Sequence, residues 1–460
     1  MSPKVTDEVD FTLIDLSIIV FKMTTPIYDF VKKYSESGSA RFHMPGHKGR
    51  GELGCEAFDI TEISGADVLY SAEGIIAESE NNLTDLYGTS HSFYSTEGST
   101  LVIKAMLALI SERAGDERPL ILAARNVHAS FVRAAALLDL DVKWIYPCEE
   151  EHLCRCVISP RDIQIAVESS DRRISAVYIT SPDYLGTVSD IRSLAKTCKR
   201  YEIPLLVDNA HGAYLKFLPE DMHPITLGAA MCADSAHKTL PVLTGGAYLH
   251  ISRDYPEYVD KARAALSLFA STSPSYLTLS SLDLCNRRLC EDYPKELFAL
   301  IEKTALIKHR ISSLGFTVCE SEPLKIVLRG EMALASHLRG QGIEPEFADS
   351  EYLVLMLTPS NSDSQLEALA SALSCYEGEK KVGNIGDHAP KRHTAEMSIR
   401  KAILSPFEII PTERAEGRIC ATPTVSCPPA VPIVISGERI TGEDVKLFKY
   451  YGIKTVSVVK

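Results

Sequence analysis

No apolar stretch of the chain reaches membrane-spanning length, so no membrane partner is expected. The best candidate, Phe11-Thr-Leu-Ile-Asp-Leu-Ser-Ile-Ile-Val-Phe21, is short, interrupted by Asp15 and preceded by acidic residues, so it does not read as a secretory leader. A basic block is also missing. With a net charge of −13, nothing would track a phosphate backbone, and no nucleic-acid partner is expected. Twelve cysteines are scattered through 460 residues without regular pairing, which argues against a disulfide scaffold and for reduced thiols in a cytoplasmic setting. No internal repeat is visible, and no segment is low in complexity.

What is present is an alternation of strand and helix patterns. The 45% hydrophobic and 24% charged content is enough to bury large cores in two or three domains. Leu120–Ala124, Val142–Tyr146, Ile174–Thr180 and Ile203–Asp208 read as strands. His128–Leu138 and Ser189–Tyr201, the latter with Asp190 in its first turn, read as helices. The order predicts an α/β fold with a mainly parallel sheet covered on both faces. In such sheets ligands bind beyond the carboxyl ends of the strands, where Asp208, the Thr180-Ser181-Pro182 turn and Lys238 would fall.

Lys238, in Ala233-Asp-Ser-Ala-His-Lys-Thr239, and Asp208, which ends an apolar strand, form an informative pair. Taken singly, the first reads as a surface lysine and the second as a helix N-cap. Together they are the two groups that pyridoxal 5'-phosphate requires. The amine holds the aldehyde as a Schiff base, and the carboxylate keeps the pyridine nitrogen protonated. A third feature agrees with them. Tyr94-Ser-Thr-Glu-Gly-Ser-Thr100 leads into the apolar helical run Leu101–Ile110, and a helix start with hydroxyls and exposed N–H groups suits a phosphate. No lysine follows Gly98 in the P-loop pattern, so a nucleoside triphosphate is disfavoured.

The segments Phe42-His-Met-Pro-Gly-His-Lys48, Tyr87-Gly-Thr-Ser90, Ser95–Thr100, Val207-Asp-Asn-Ala-His-Gly212, Ser235-Ala-His-Lys-Thr-Leu-Pro241 and Ser271-Thr-Ser-Pro-Ser-Tyr276 resemble the bacterial ornithine/lysine/arginine decarboxylases in their short form. The resemblance covers residues 23–460. It implies an aspartate-aminotransferase-like large domain (pyridoxal-phosphate fold type I), a smaller α/β domain and a C-terminal domain. It also implies decarboxylation of arginine, lysine or ornithine to an amine that feeds polyamine synthesis, in a homodimer or an assembly of dimers. By position, Lys238 would carry the Schiff base and Asp208 would face the pyridine nitrogen. Gly98, Ser99, Thr100, Ser235 and His237 would hold the phosphate. His128 would stack on the ring face opposite Ala210, and His211 would contact the ring oxygen or merely fill the strand end. The proton returned to the α-carbon would come from His237 or a cysteine. Ser271–Tyr276 would approach the neighbouring subunit's cofactor. Another fold-type-I activity, an aminotransferase or a carbon–carbon lyase, shares Lys238 and Asp208, and a catalytically silent relative would keep the fold alone. An aminotransferase would clamp the substrate carboxylate with an arginine, for which Arg329, Arg414 and Arg418 are candidates.

The expected domains are an N-terminal extension over 1–22, the cofactor-binding large domain over 23–300, the small α/β domain over 301–376, a polar linker over 377–394 and the C-terminal domain over 395–460. In the small domain Leu324–Leu328, Ile343–Phe347 and Tyr352–Leu357 read as strands, and Ser364–Leu373 as a helix capped from Ser360–Asp363. No metal is expected. Pro45 and Gly46 break the helix that His43 and His47 would need to share, and Cys148-Glu-Glu-Glu-His-Leu-Cys-Arg-Cys156 matches zinc spacing poorly and reads as a solvated loop. The C-terminal part departs from the family pattern. Ala430 stands for glycine, Val431 for isoleucine, Ser436 for proline and Cys427 for tyrosine, while Glu97 stands where many relatives have asparagine. If residue 430 adopts positive φ, its alanine is strained.

Overall fold

The structure is a computed structural model, and it describes residues 23–115, 117–146, 152–330, 332–380, 391–423 and 429–460. The expected extension over 1–22, most of the linker, Cys148 and Cys427 lie outside the described residues.

Seven strands form the central sheet: β1 (His91–Ser95), β2 (Leu120–Ala124), β3 (Asp141–Ile145), β4 (Ile174–Thr180), β5 (Leu205–Asp208), β6 (Met231–Asp234) and β7 (Ala247–Ile251), in the order β1-β7-β6-β5-β4-β2-β3. The pairs from β3 to β6 are parallel, whereas β7 runs antiparallel to both β6 and β1. Strands β2, β5, β6 and β7 are buried along their whole length, because helices pack on both faces of the sheet. The apolar helix Gly98–Ser111 buries eight residues against one face. Ile163, Ile191 and Leu194 from helices Pro160–Glu168 and Ile191–Arg200 cover the other. Asp190 is the N-cap of the second helix, accepting from Ser193 N–H, rather than a first-turn residue.

Helix Tyr293–Ser313 leads to a second, antiparallel sheet of β8 (Val318–Cys319), β9 (Lys325–Arg329), β10 (Phe347–Ala348) and β11 (Tyr352–Met356), in the order β10-β11-β9-β8. The strand expected over Ile343–Phe347 shrinks to Phe347–Ala348. Pro345 has no N–H to donate, and Gly342 turns the chain at φ +76° just before it. Helix Asp363–Ser374 starts with a capping box between Ser362 and Gln365.

The C-terminal part pairs β12 (Phe407–Pro411) with β13 (Thr455–Val459) and packs helix Gly442–Tyr450 against them. It is tied to the large domain by Arg125, whose side chain is wholly buried. Arg125 donates from Nη1 to Pro432 O and from Nη2 to Ile433 O, both at 2.8 Å, and its guanidinium lies 5.6 Å from the Trp144 ring centre.

Residues 152–156 are not a solvated loop. His152, Leu153, Cys154 and Cys156 are buried, because His152 Nε2 reaches Asp349 Oδ2 at 3.0 Å and Cys154 packs among Leu185, Val327 and Val354. His43 and His47 have separate partners, with Tyr34 OH 2.6 Å from His43 Nε2 and Asp59 Oδ2 3.1 Å from His47 Nε2.

Candidate active site

Parallel strands deliver their last residues to one edge of the sheet, and a cavity of about 360 Å³ opens there. Gly98, Ser99, Thr100, His128, Asp208, Ala210, His211, Ser235, His237 and Lys238 all line it. The ten residues that the resemblance assigns to the cofactor are therefore brought to one place.

Each is placed by local chemistry. Asp208 ends β5 and is buried. Its Oδ1 accepts from Ala210 N–H at 3.2 Å and its Oδ2 from Tyr178 OH at 3.3 Å. Burial raises its pKa, with nearby Lys238 working against that shift. Lys238 sits in the one-turn helix Ala236–Thr239 that follows β6, with Nζ 3.1 Å from His211 Nε2. Burial and the Lys238 charge both push His211 well below the ordinary histidine range, so it is neutral. His128 caps helix Ala129–Leu137 by accepting from Ser130 N–H at Nδ1. Its pKa falls to about 4, through burial and then through Lys238, which leaves a neutral ring against the cavity.

At the other end lies the start of helix Gly98–Ser111. Gly98 adopts φ +72° and donates its N–H to Gly245 O at 2.7 Å. Gly245 must itself be glycine, because at φ +96° a Cβ would lie 2.6 Å from Thr96 O. The Gly98 N–H is thus committed, and the anion-binding capacity of the helix start rests with Ser99 and Thr100. Ser235 Oγ donates to Ser99 Oγ at 2.6 Å, so two hydroxyls from separate elements meet beside that helix end. His237 donates from Nδ1 to Gly246 O at 3.0 Å, and burial lowers its pKa.

Sequence reasoning missed Ile103, Asn126, Cys154, Tyr184 and Glu346 among the lining residues, whereas Ala430 and Val431, which line the cavity with Pro429, lie in the C-terminal part whose departures it had marked. Tyr184 follows the flagged Thr180–Pro182 turn by two residues, a usable signal. Cys154 stood in the segment taken as solvated. Its burial pushes the thiol pKa well above the ordinary value, so it keeps its proton. Glu346 stands just before β10, in the segment read as the strand Ile343–Phe347, a pattern that does not mark it as part of the cavity. Ala430 adopts φ +57°, the left-handed conformation a glycine would favour, and its carbonyl accepts from Ala129 N–H at 2.8 Å.

None of Arg329, Arg414 and Arg418 lines the cavity, and no arginine does among the described residues. Arg329 stacks on Tyr352, and Arg418 reaches Glu408 at 2.7 Å. Of the Ser271–Tyr276 segment, Tyr276 is buried within its own chain, where its hydroxyl donates to Asp67 O at 2.8 Å. Residues 271–273 are exposed, and Ser271 N–H donates to Glu97 Oε1 at 2.7 Å, one residue before the cavity-lining Gly98.

Beneath the cavity is a fully buried network. Asp234 accepts from Asn209 Nδ2 at 2.8 Å and from His223 Nε2 at 3.0 Å, and His250 Nε2 lies 3.4 Å away. His223 Nδ1 accepts from Ile225 N–H, so its proton sits on Nε2 and points at the carboxylate. The cluster has ligand-type residues, but that proton makes it a hydrogen-bonded array.

Comparison with known proteins finds family models along most of the chain. The model of the Orn/Lys/Arg decarboxylase major domain matches residues 25–322, and that of the family's C-terminal domain matches residues 387–456. The arginine decarboxylase of Bacillus subtilis (strain 168) is 28% identical over 467 residues, covering 92% of this chain and 93% of that protein. The arginine decarboxylase of Bacillus anthracis is 27% identical over 462 residues, covering 92% of each. Among solved structures, the Francisella novicida lysine decarboxylase LdcF superposes with a TM-score of 0.79 at 16% identity, covering 95% of this chain and 81% of that one. The constitutive lysine decarboxylase of E. coli gives 0.76 at 17%, covering 95% and 82%. At such identities the structures attest the shared fold.

Proposed function

The chain belongs to the Orn/Lys/Arg decarboxylase family, and on that premise we propose that it releases the α-carboxylate of arginine, lysine or ornithine as carbon dioxide, with pyridoxal 5'-phosphate as cofactor and the corresponding amine as product. The observation that carries the reading is the convergence of Lys238, the buried Asp208 and the Ser99–Ser235 hydroxyl pair on one cavity. The residues present fit the cofactor. A buried carboxylate raised by desolvation is stabilised by a facing protonated nitrogen, and a helix start with two hydroxyls suits a phosphate.

When bound, the cofactor supplies an aldehyde for the substrate amine and an aromatic ring that accepts the electron pair of the broken bond. The protein groups do the rest. Lys238 provides the amine for covalent attachment. Asp208, its carboxylate fixed by Tyr178 OH and Ala210 N–H, would keep the ring nitrogen protonated, and the neutral His128 and Ala210 would hold the ring. Ser99, Thr100 and Ser235 would hold the phosphate. His237 donates from Nε2 only as the imidazolium, since Nδ1 is committed to Gly246 O. Proton return to the α-carbon is assigned to His237 or to the protonated Cys154 thiol. The lack of a described cavity-lining arginine supports loss of the substrate carboxylate over its retention, which transamination requires.

Proposed with this are a cytoplasmic setting, a role in polyamine formation, and a homodimer in which Ser271–Ser273 reach the neighbouring subunit's site. No described helix is long and apolar enough to cross a membrane. The test is carbon dioxide release from each of the three amino acids by purified protein. Release from none of them sinks the proposal.

A further inference from the structure

The cavity holds two carboxylates among its described lining residues, and their settings differ. Asp208 is buried at the end of β5. Glu346 is exposed, on the small domain, at the mouth. Its backbone is fixed by a bond from its N–H to Val354 O at 3.0 Å, between Pro345 and the buried Phe347. Its side chain is fixed by Tyr184, whose hydroxyl donates to Oε1 at 2.6 Å. No described residue forms an ion pair with it.

Tyr184 connects this acid to the reacting end. Its ring meets His211 edge-on at 5.0 Å and Phe347 at 5.5 Å, and His211 is the residue 3.1 Å from Lys238 Nζ. Behind the Tyr184 ring, 5.9 Å from its centre, stands the buried Lys325 ammonium, which donates to Asp183 O at 3.0 Å. A substrate whose α-amino group lies at Lys238 would extend its side chain past Tyr184 toward the mouth. Among the lining residues there, Glu346 is the acid available to a terminal cation. Resting on the function proposed above, the geometry points to Glu346, held by Tyr184, as the group that binds the distal ammonium or guanidinium of the substrate.

A carboxylate anchored through one oxygen presents the other to a cation at low reorganisation cost, and a charge-assisted bond of this kind is worth about tenfold or more in binding. The chemistry also sets the specificity, because a side chain of equal length without charge would gain much less.

The test uses holoenzyme, wild type beside Glu346→Gln and Tyr184→Phe. KM and kcat are measured for arginine, lysine and ornithine, with citrulline as the uncharged counterpart of arginine. Binding of agmatine, the decarboxylated form of arginine, is measured by calorimetry. Glu346→Gln should raise KM for the preferred basic amino acid about tenfold or more and leave kcat within about threefold. It should weaken agmatine by a similar factor and narrow the preference for arginine over citrulline. Tyr184→Phe, which keeps the ring packing, should raise KM by a smaller factor. Unchanged KM and agmatine affinity in both variants would overturn the assignment, as would a fall in kcat at constant KM. If the wild type releases carbon dioxide from none of the three amino acids, the proposed function fails instead.

Discussion

Replacing Arg125 by methionine should loosen the C-terminal part from the large domain, with consequences at the active site. The guanidinium is buried, donates to Pro432 O and Ile433 O at 2.8 Å each, and lies 3.9 Å from Glu438 Oε2. Each bond from a charged donor is worth about 1.5–3 kcal/mol, and removing one partner of a buried ion pair costs about 3–5 kcal/mol. These terms overlap because one group makes all the contacts, and methionine recovers some packing, so the net loss is set at about 4 kcal/mol. That is nearly a thousandfold in the docking equilibrium, at about 1.4 kcal/mol per tenfold. Hydrogen exchange is the suitable assay, because it reads the opening of residues 429–435 separately from unfolding of the central sheet. Since Pro429, Ala430 and Val431 line the cavity, KM should rise as well. A loss below about 1 kcal/mol would refute this expectation.

Two further outcomes are expected. Asp234→Asn should lower stability by about 3 kcal/mol in urea unfolding, because it removes the buried charge that accepts from His223 and Asn209; an unchanged midpoint would show that the network is electrostatically neutral. His393 should make stability fall as pH rises above the ordinary histidine value. Although burial opposes its charging, the bond to Asp444 at 2.8 Å and the nearby Glu438 raise its pKa. A histidine raised in the folded state contributes stability that is fully present below its unfolded value near 6.5 and is lost as pH rises through the folded value. Melting temperature should therefore drop as pH rises above about 6.5 in the wild type and drop less in His393→Asn, and parallel profiles would contradict this.

The legible part of the site was the part made by chain-local geometry. Asp208 ends an apolar strand, Lys238 follows the next strand by four residues, and Ser99 and Thr100 open an apolar helix. In a parallel sheet strand ends share one edge, so the spacing alone nearly places them together. Glu346, Tyr184 and Ala430 join them from the second sheet, a turn and the C-terminal part, through tertiary packing that no periodicity records. The burial of residues 152–156 was hidden for the same reason: the polar segment's partner, Asp349, lies far along the chain. In Ile343–Phe347 the apolar alternation suggested a strand, but Pro345 and the turn at Gly342 overrode it. The strain at Ala430 was readable only as a condition, since composition does not give φ.

In the proposed function Lys238 carries the cofactor for loss of the substrate carboxylate. The direct measurement is release of labelled carbon dioxide from carboxyl-labelled arginine, lysine and ornithine by wild-type and Lys238→Ala holoenzyme at matched concentration. The expected result is release from at least one amino acid by the wild type and none above background from Lys238→Ala. Turnover retained by Lys238→Ala would contradict the claim.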